Sequence, residues 1–350
     1  MFSCPIEIAG EHFGSVEEGY QWAKCWLAED DQARKDIQSL GPTPKQCKRR
    51  AKGYNIRWGI NPRLWDDAKY LVMVSLQMAK YRQNHSLAKL FDDTGNSWLL
   101  EASPYDADWG CKLGKKELQH HLQQSEDSLP GDNRMGNILM EVRSYLRGEL
   151  KYPDALLVAD SQGRRFTPSD QFDIVALSGG KVQLLFKVAR LAVHEGYRFA
   201  VIFGGTNNVV VRNRVGKTFQ ERVGRFKAIQ QQFEKQISRF VTELPSKSLL
   251  LLEIPPRLGG SLFSESASTV NRVNNFLAYL RKRYSQQGVS NSKVSVVKVH
   301  TALNNPKFFA KCSAGGPDIH LNQEGVALVE AAIKTTIAEV AVTEGRPGSS

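Results

Sequence analysis

Cysteine is sparse. Cys4, Cys25, Cys47, Cys111 and Cys312 are odd in number, far apart and form no CxxC pair. Such spacing supports neither a disulfide framework nor a structural zinc, and it suits a reducing compartment. Long apolar runs are missing too, and none approaches the ~18–20 residues of a membrane span. The N-terminus shows no basic start followed by an apolar stretch, so no secretory signal is read. No membrane partner and an intracellular location, cytoplasmic or nuclear, are therefore expected. No internal repeat is visible. Clusters with metal-ligand spacing are also lacking: His120-His121 lies in a polar stretch and reads as solvated. Neither a metal nor a cofactor is expected.

What the sequence does hold is positive charge. Lys and Arg number 47 against 36 acids, a formal charge of +11, and the pI is about 9.4. A basic surface attracts phosphate-bearing partners, so a nucleotide or a nucleic acid is the expected partner class. Plain solubility is the other reading, and charge says nothing of oligomeric state. An apolar share of 41% over 350 residues can bury two cores.

The patterning changes near Gly148. Before it the chain reads mainly as helices around 17–28, 44–51, 65–81 and 138–146. A short hairpin is predicted over Ile6–Ala9 and His12-Phe13, and a polar helix and loop over 115–133. After it, "DALLVAD", "FDIVALSGG", "FAVIFGG", "SLLLLEIP" and "VSVVKV" alternate with helical patterns at 181–195, 218–244, 267–285 and 323–340. Continuous apolar strands alternating with helices predict a parallel, doubly wound α/β sheet. The expected domains are 1–148, α-rich, and 152–341, α/β and flavodoxin-like, with a disordered tail over 342–350.

The opening helix carries "SVEEGYQWAKC", Ser15 to Cys25. Ser15 or Gly14 can cap it, and Glu17 sits in the first turn, where the helix dipole favours a carboxylate. Seven residues return to within about 20° of the same angle. Glu17, Gln21 and Lys24 thus share a line, serving a cleft or facing solvent.

"SVEEGYQWAK" resembles the SVEHxYQxxK signature of the NADAR family of N-glycosidase-like domains. "PKQCKRRAK", "LWDDAKYLVMVSLQMAKYRQN", "TGNSWLLEAS", "YDADWG" and "GDNRMGNILMEVR" resemble its further motifs in family order, over Ser15 to Arg143. The resemblance implies cleavage of an N-glycosidic bond to ribose. Substrates linked to the family include phosphorylated riboflavin precursors and ADP-ribose on guanine bases. It implies Glu17 as the catalytic carboxylate, Lys24 as a pocket lysine, and Asp106 and Trp109 as the acid and aromatic of the DxxWG motif. Trp65 would stack on the base, with Gln21, Lys52 and Asn133 as further substrate-binding positions. The residue types suit that chemistry. Breaking C1′–N builds positive charge on the sugar, which a carboxylate stabilises. A second acid aids departure of the base. Lys24 would alternatively attack an opened sugar as an amine. Trp65 and Trp109 also suit a core, which is the reading preferred for Trp22, Trp26 and Trp98. Three positions depart from the family pattern: Ala51-Lys52 replaces Gly-Arg, and Glu18 stands where histidine is usual. The upstream S-N-F-like stretch is absent or reduced to Phe2-Ser3.

The second half resembles the SGNH hydrolases. "VADSQG", "LSGG", "FGGTNN" and "PDIHLNQEG" look like that family's four blocks. The resemblance implies Ser161 as nucleophile, His320 as its base, and Gly180 and Asn207 with the Ser161 backbone as oxyanion hole. The usual acid position holds Pro317, with Asp318 one residue closer to the histidine. Ala159 and Asn208 replace a glycine and an aspartate. "VRNRVGKTFQERVGRFK" brings Arg212, Arg214, Lys217, Arg222, Arg225 and Lys227 together, as a phosphate grip or a solvated helix face. Three functions follow from these readings: an N-glycosidase, an ADP-ribose or nucleotide-binding module without catalysis, and an ester or acetyl hydrolase through Ser161.

Overall fold

The computed structural model describes residues 3–28, 31–39, 43–57, 62–124, 128–209, 219–256, 270–271, 273–278, 294–311 and 317–343. The chain divides into two compact units. One comprises 1–59 with 69–152, the other 60–68 with 153–350.

The first unit opens with the predicted hairpin, β1 (Ile6–Ile8) paired antiparallel to β2 (Glu11–Phe13). Ala9 and Gly10 both have positive φ, 52° and 75°, the two-residue turn whose twist matches its strands. Helices α1 (Val16–Leu27), α2 (Asp31–Ser39), α3 (Pro44–Arg57), α4 (Pro62–Gln83), α5 (His85–Asp92), α6 (Lys115–Gln123) and α7 (Arg134–Leu146) follow. α2 and α5 were not expected. α2 buries little beyond Ala33 and Ile37, and α5 buries Phe91, too few apolar residues to show a helical period. Met73, Val74, Met78 and Tyr81 of α4, Phe91, and Ile138 and Val142 of α7 form a core. The unit runs to Tyr152, whose hydroxyl donates to Glu141 Oε1 (2.5 Å) and whose ring packs on Tyr145.

Trp22 and Trp26 are buried as expected, but Trp98 is 71% exposed. It sits in a loop held by two arginines. Arg143 donates to Thr94 Oγ1 and Ser97 O, and Arg147 to Gly95 O and Asn96 Oδ1.

The second unit holds a five-stranded parallel sheet in the order β4-β3-β5-β6-β7. Its strands are β3 (Ala155–Ala159), β4 (Phe172–Ala176), β5 (Phe199–Phe203), β6 (Ser248–Leu252) and β7 (Val294–Val297). This is the flavodoxin-like order, with the reversal of direction lying between β3 and β5. Every residue of β3, β5, β6 and β7 is buried, so both faces are covered. Its helices include α8 (Val182–Ala192), short α9 (Thr206–Val209), α10 (Phe219–Glu243) and α11 (Gln323–Thr343), and residues 270–271 and 273–278 are helical as well. An antiparallel pair, β8 (Phe309–Lys311) and β9 (Pro317–Leu321), precedes α11. Proline at the head of "PDIHL" reads as loop, yet the first position of a strand tolerates it. α11 continues through Thr343, which corrects the expected tail at 342 and 343; 344–350 lie outside the described residues. Of the basic run, residues 210–218 and the side chains of 219–225 also lie outside them, while Lys227 is exposed on α10.

Candidate active site

In the first unit a cavity of about 480 Å³ is bounded by α1, α3, α4, α7 and the segment 101–109. Local capping decides which acid faces it. Ser15 Oγ accepts from Glu18 N (3.2 Å), and Glu18 Oε2 accepts from Gly14 N (2.7 Å). Glu18 is thereby consumed at the helix start, and Glu17 is the acid that lines the cavity. Gln21 Nε2 donates to Glu17 Oε1 (2.8 Å). Burial pushes the Glu17 carboxyl above its ordinary pKa, and the Gln21 bond and the Lys48 charge partly offset the rise.

The DxxWG loop forms the opposite wall. Asp106 Oδ1 accepts from Asp108 N (3.2 Å) and Trp109 N (2.8 Å), an Asx turn. The loop's carbonyls then take the free N–H groups of α7: Arg134 N donates to Asp108 O and Met135 N to Trp109 O. Lys69 and Arg134 pair with Asp108 at 2.6 and 2.9 Å. Trp109 lines the cavity and meets Tyr20 edge-on, centroids 5.7 Å apart.

Glu17, Gln21, Asp106 and Trp109 thus share one cavity, and other expected residues stand elsewhere. Lys24 does not line it: seven residues carry it about 10 Å along the helix axis from Glu17. Lys52 is exposed on α3. Asn133 is buried with a left-handed φ of 48°, and its amide is spent on the fold, accepting from Glu101 N (2.9 Å) and donating to Leu99 O (3.0 Å). Trp65 is buried on α4 within 60–68, the stretch grouped with the second unit.

Sequence reasoning missed Lys48, Gln77 and Lys80, all of which line the cavity. Lys48 lies one turn after Pro44 on α3. Gln77 and Lys80 lie inside an α4 run that reads as core. Lys80 Nζ is 3.3 Å from Tyr81 Oη, and burial pushes its pKa down. The lysine of the α4 motif was the available signal.

In the second unit, Ser161 begins a 3₁₀ turn, Ser161–Arg165, at the carboxyl end of β3, capped by Asp160 Oδ1 accepting from Gln162 N (3.1 Å). His320 Nε2 lies 3.1 Å from Ser161 Oγ, and Leu321 N donates to Gln162 Oε1 (3.1 Å), tying β9 to the turn that carries Ser161. Asn207 Nδ2 donates to Gly180 O (3.0 Å), while Gly180 N donates to Leu177 O (2.8 Å). The two expected oxyanion donors are adjacent, but one backbone N–H is engaged in a turn. Asn208, where an aspartate was usual, accepts from Val182 N (2.9 Å) at the start of α8. The Asp318 side chain lies outside the described residues.

Among the described residues, no group of His, Cys, Asp and Glu could hold a metal ion, and no helix is long and apolar enough to cross a membrane.

Residues 2–147 match the family model of the NADAR domain. An N-glycosidase of Acanthamoeba polyphaga mimivirus is 36% identical over 99 residues, 28% of this chain and 56% of that protein. The chain therefore spans little more than half the length of that relative. An N-glycosidase of Nostoc punctiforme is 26% identical over 147 residues, 41% of this chain and 81% of that protein. Among solved structures, a GDSL-like lipase from Bacteroides thetaiotaomicron is similar with a TM-score of 0.40 and 16% identity, covering 56% of this chain and 96% of the lipase. A family 3 carbohydrate esterase of Clostridium thermocellum has a TM-score of 0.39 and 14% identity, covering 55% of this chain and 98% of the esterase.

Proposed function

We propose that the first unit is an N-glycosidase that cleaves the bond between a phosphorylated ribose and a nucleobase, with ADP-ribose on guanine in DNA as the substrate to test first. The observation that carries this reading is Glu17: a carboxylate raised in pKa by burial, hydrogen-bonded to Gln21, in a cavity shared with Asp106 and Trp109. As C1′–N breaks, its electron pair leaves with the base and positive charge grows on the ribosyl ring. Glu17 stabilises that charge. Water then adds to C1′ and yields a proton to Glu17, while the departing nitrogen takes one by way of Asp106. Trp109 and Tyr20 offer aromatic surface to the base. Lys48 and Lys80 offer positive charge to the phosphate.

The test is incubation of the full chain with ADP-ribosylated DNA. Release of ADP-ribose is expected, and Glu17→Gln should abolish release while binding survives. Binding by the wild type without release would make the unit a recognition module instead.

The short Ser161–His320 contact favours a second activity, ester or acetyl hydrolysis in the second unit. Serine attack on the acyl carbon, with its proton passing to His320, is the step that pair suits.

A further inference from the structure

The net charge of the chain is unevenly placed. Over residues 1–152 Lys and Arg equal Asp and Glu in number, and the whole formal charge of +11 falls on the rest. Against that neutral background α3 stands apart. Its 14 residues hold the cations Lys45, Lys48, Arg49, Arg50, Lys52 and Arg57 and no acid.

The helix has a buried face and a basic face. Pro44, Cys47 and Ala51 are buried, whereas Lys45, Lys48, Arg49 and Lys52 are exposed. Positions 45, 48, 49 and 52 follow the i, i+3, i+4, i+7 spacing, which puts them on one side of a helix. The row runs about 10 Å along the axis. Lys48 lines the cavity, and Lys45, Arg49 and Lys52 do not, so the row leads from the cavity mouth out over the surface. Among the described residues no acid pairs with Lys45, Arg49 or Lys52.

α3 gains nothing from this arrangement on its own. Lys45 lies in the first turn, at the positive end of the helix dipole, and that turn holds no acid. Lys45 and Arg49, and likewise Lys48 and Lys52, are like charges one turn apart, which repel. An acid at any of these positions would stabilise the helix. Cations kept in a row against that repulsion are explained by a polyanion that lies along them.

We propose that α3 is a binding surface for the backbone of a single-stranded nucleic acid, with Lys45, Arg49 and Lys52 on successive phosphates outside the cavity and Lys48 at its mouth. With the cavity read as a site for a ribosyl–base bond, on which this surface depends for its role, the substrate becomes a base within a strand rather than a free nucleotide. ADP-ribose has a single pyrophosphate, which the cavity end of the row alone would hold. A length of about 10 Å matches about three phosphates of one strand. A base enters a cavity only outside its stack, and a single strand allows this without unpairing.

The experiment is fluorescence anisotropy of a dye-labelled, unmodified single-stranded DNA titrated with the full chain across a salt series, so that binding is read without cleavage. The second unit has cations of its own, so variants that lose the same charge are compared. Lys45→Gln with Arg49→Gln removes a pair from α3, and Lys115→Gln with Lys116→Gln removes an exposed pair from α6. Glutamine is a good helix former at such positions, and an unchanged Tm verifies folding. The α3 pair is expected to weaken binding about tenfold at low salt and to lower the slope of log Kd against log salt by about 1.4, at about 0.7 per phosphate. The α6 pair should leave both near the wild type. Equal losses in the two variants would make the effect one of net charge and overturn the proposal, as would wild-type affinity and slope in the α3 pair. Binding through α3 that prefers duplex to single strand would overturn the single-stranded assignment. Release of ADP-ribose from modified DNA judges the glycosidase reading separately. Binding through α3 without release removes that reading and leaves the surface, and release with binding independent of α3 does the reverse.

Discussion

His320 Nε2 stands 3.1 Å from Ser161 Oγ although 159 positions separate the two residues in the chain. Two devices bring them together: β3 delivers the serine at its carboxyl end, and the Gln162–Leu321 bond fixes β9 beside it. The oxyanion side is less complete, because Gly180 N is bonded to Leu177 O. A missing donor costs roughly 10²–10³ in rate. Hydrolysis of p-nitrophenyl acetate by the full chain is therefore expected to be slow, and to fall to background in Ser161→Ala and in His320→Ala alike. Residues that act as a unit lose as much singly as together. Turnover unaffected by Ser161→Ala would remove the esterase reading.

Glu17 supplies a pH test with a definite sign. Burial raises its folded-state pKa above the unfolded value, with the Gln21 bond and Lys48 opposing. The folded state then binds more protons between the two values, so this group's contribution to stability is present below the unfolded pKa and is lost as pH rises through the folded one. Glu17→Gln should raise Tm at pH 7, and the gain should vanish as pH drops below the ordinary carboxylate range. Activity in the proposed reaction runs the other way, since there the charged carboxylate is the working form. ADP-ribose release should climb with pH through an apparent pKa above that of a free glutamate. A Tm difference independent of pH would mean that Glu17 is not desolvated.

The sheet was legible because fully buried parallel strands announce themselves as runs such as Leu156-Leu157-Val158, and its parallel, doubly wound character followed from their alternation with helices. The cavity was legible only where a local motif carries it. Glu17 and Asp106 belong to short, distinctive stretches. Gln77 and Lys80 lie within an apolar helical stretch, where period alone makes them interruptions of a core. Asn133 and Lys24 show the converse limit. Both belong to the same motifs as cavity residues, but one is needed for an αL corner and the other lies two turns along its helix. Membership of a motif does not separate a side chain that builds a pocket from one that faces it.

Asp106 has two tasks that substitution can separate. Its Oδ1 holds the backbone of Asp108 and Trp109, and its charge faces the cavity. An asparagine side chain in its place would keep the acceptor and lose the charge, so Asp106→Asn should fold with near-native Tm and lose glycosidase activity. Asp106→Ala removes both and should also cost about 0.5–2 kcal/mol, the usual value of a side-chain cap on backbone N–H groups. Thermal unfolding and ADP-ribose release, measured on both variants, check this. Full activity in Asp106→Asn would confine Asp106 to the turn.

The last test concerns how closely the chain approaches itself behind the cavity. Gly136 lies in the first turn of α7, and a Cβ there would fall 1.9 Å from Leu99 O and 2.4 Å from Asn133 Nδ2. Leu99 O and Asn133 Nδ2 cannot yield independently, because they are bonded to each other and Asn133 Oδ1 also holds Glu101 N. Relief of the clash must move the segment that carries Glu101 and Ser103 to the cavity wall. Gly136→Ala is accordingly expected to destabilise the first unit by roughly 3–5 kcal/mol, within the range of overpacking combined with a broken polar network. Asn133→Gly keeps the left-handed corner accessible and loses only side-chain bonds, so about 1–3 kcal/mol is expected. Urea unfolding of the full chain should rank the two in that order. Gly136→Ala with wild-type stability would show that α7 and the Leu99 segment are not in contact at this point, and the wall built on that contact would have to be redrawn.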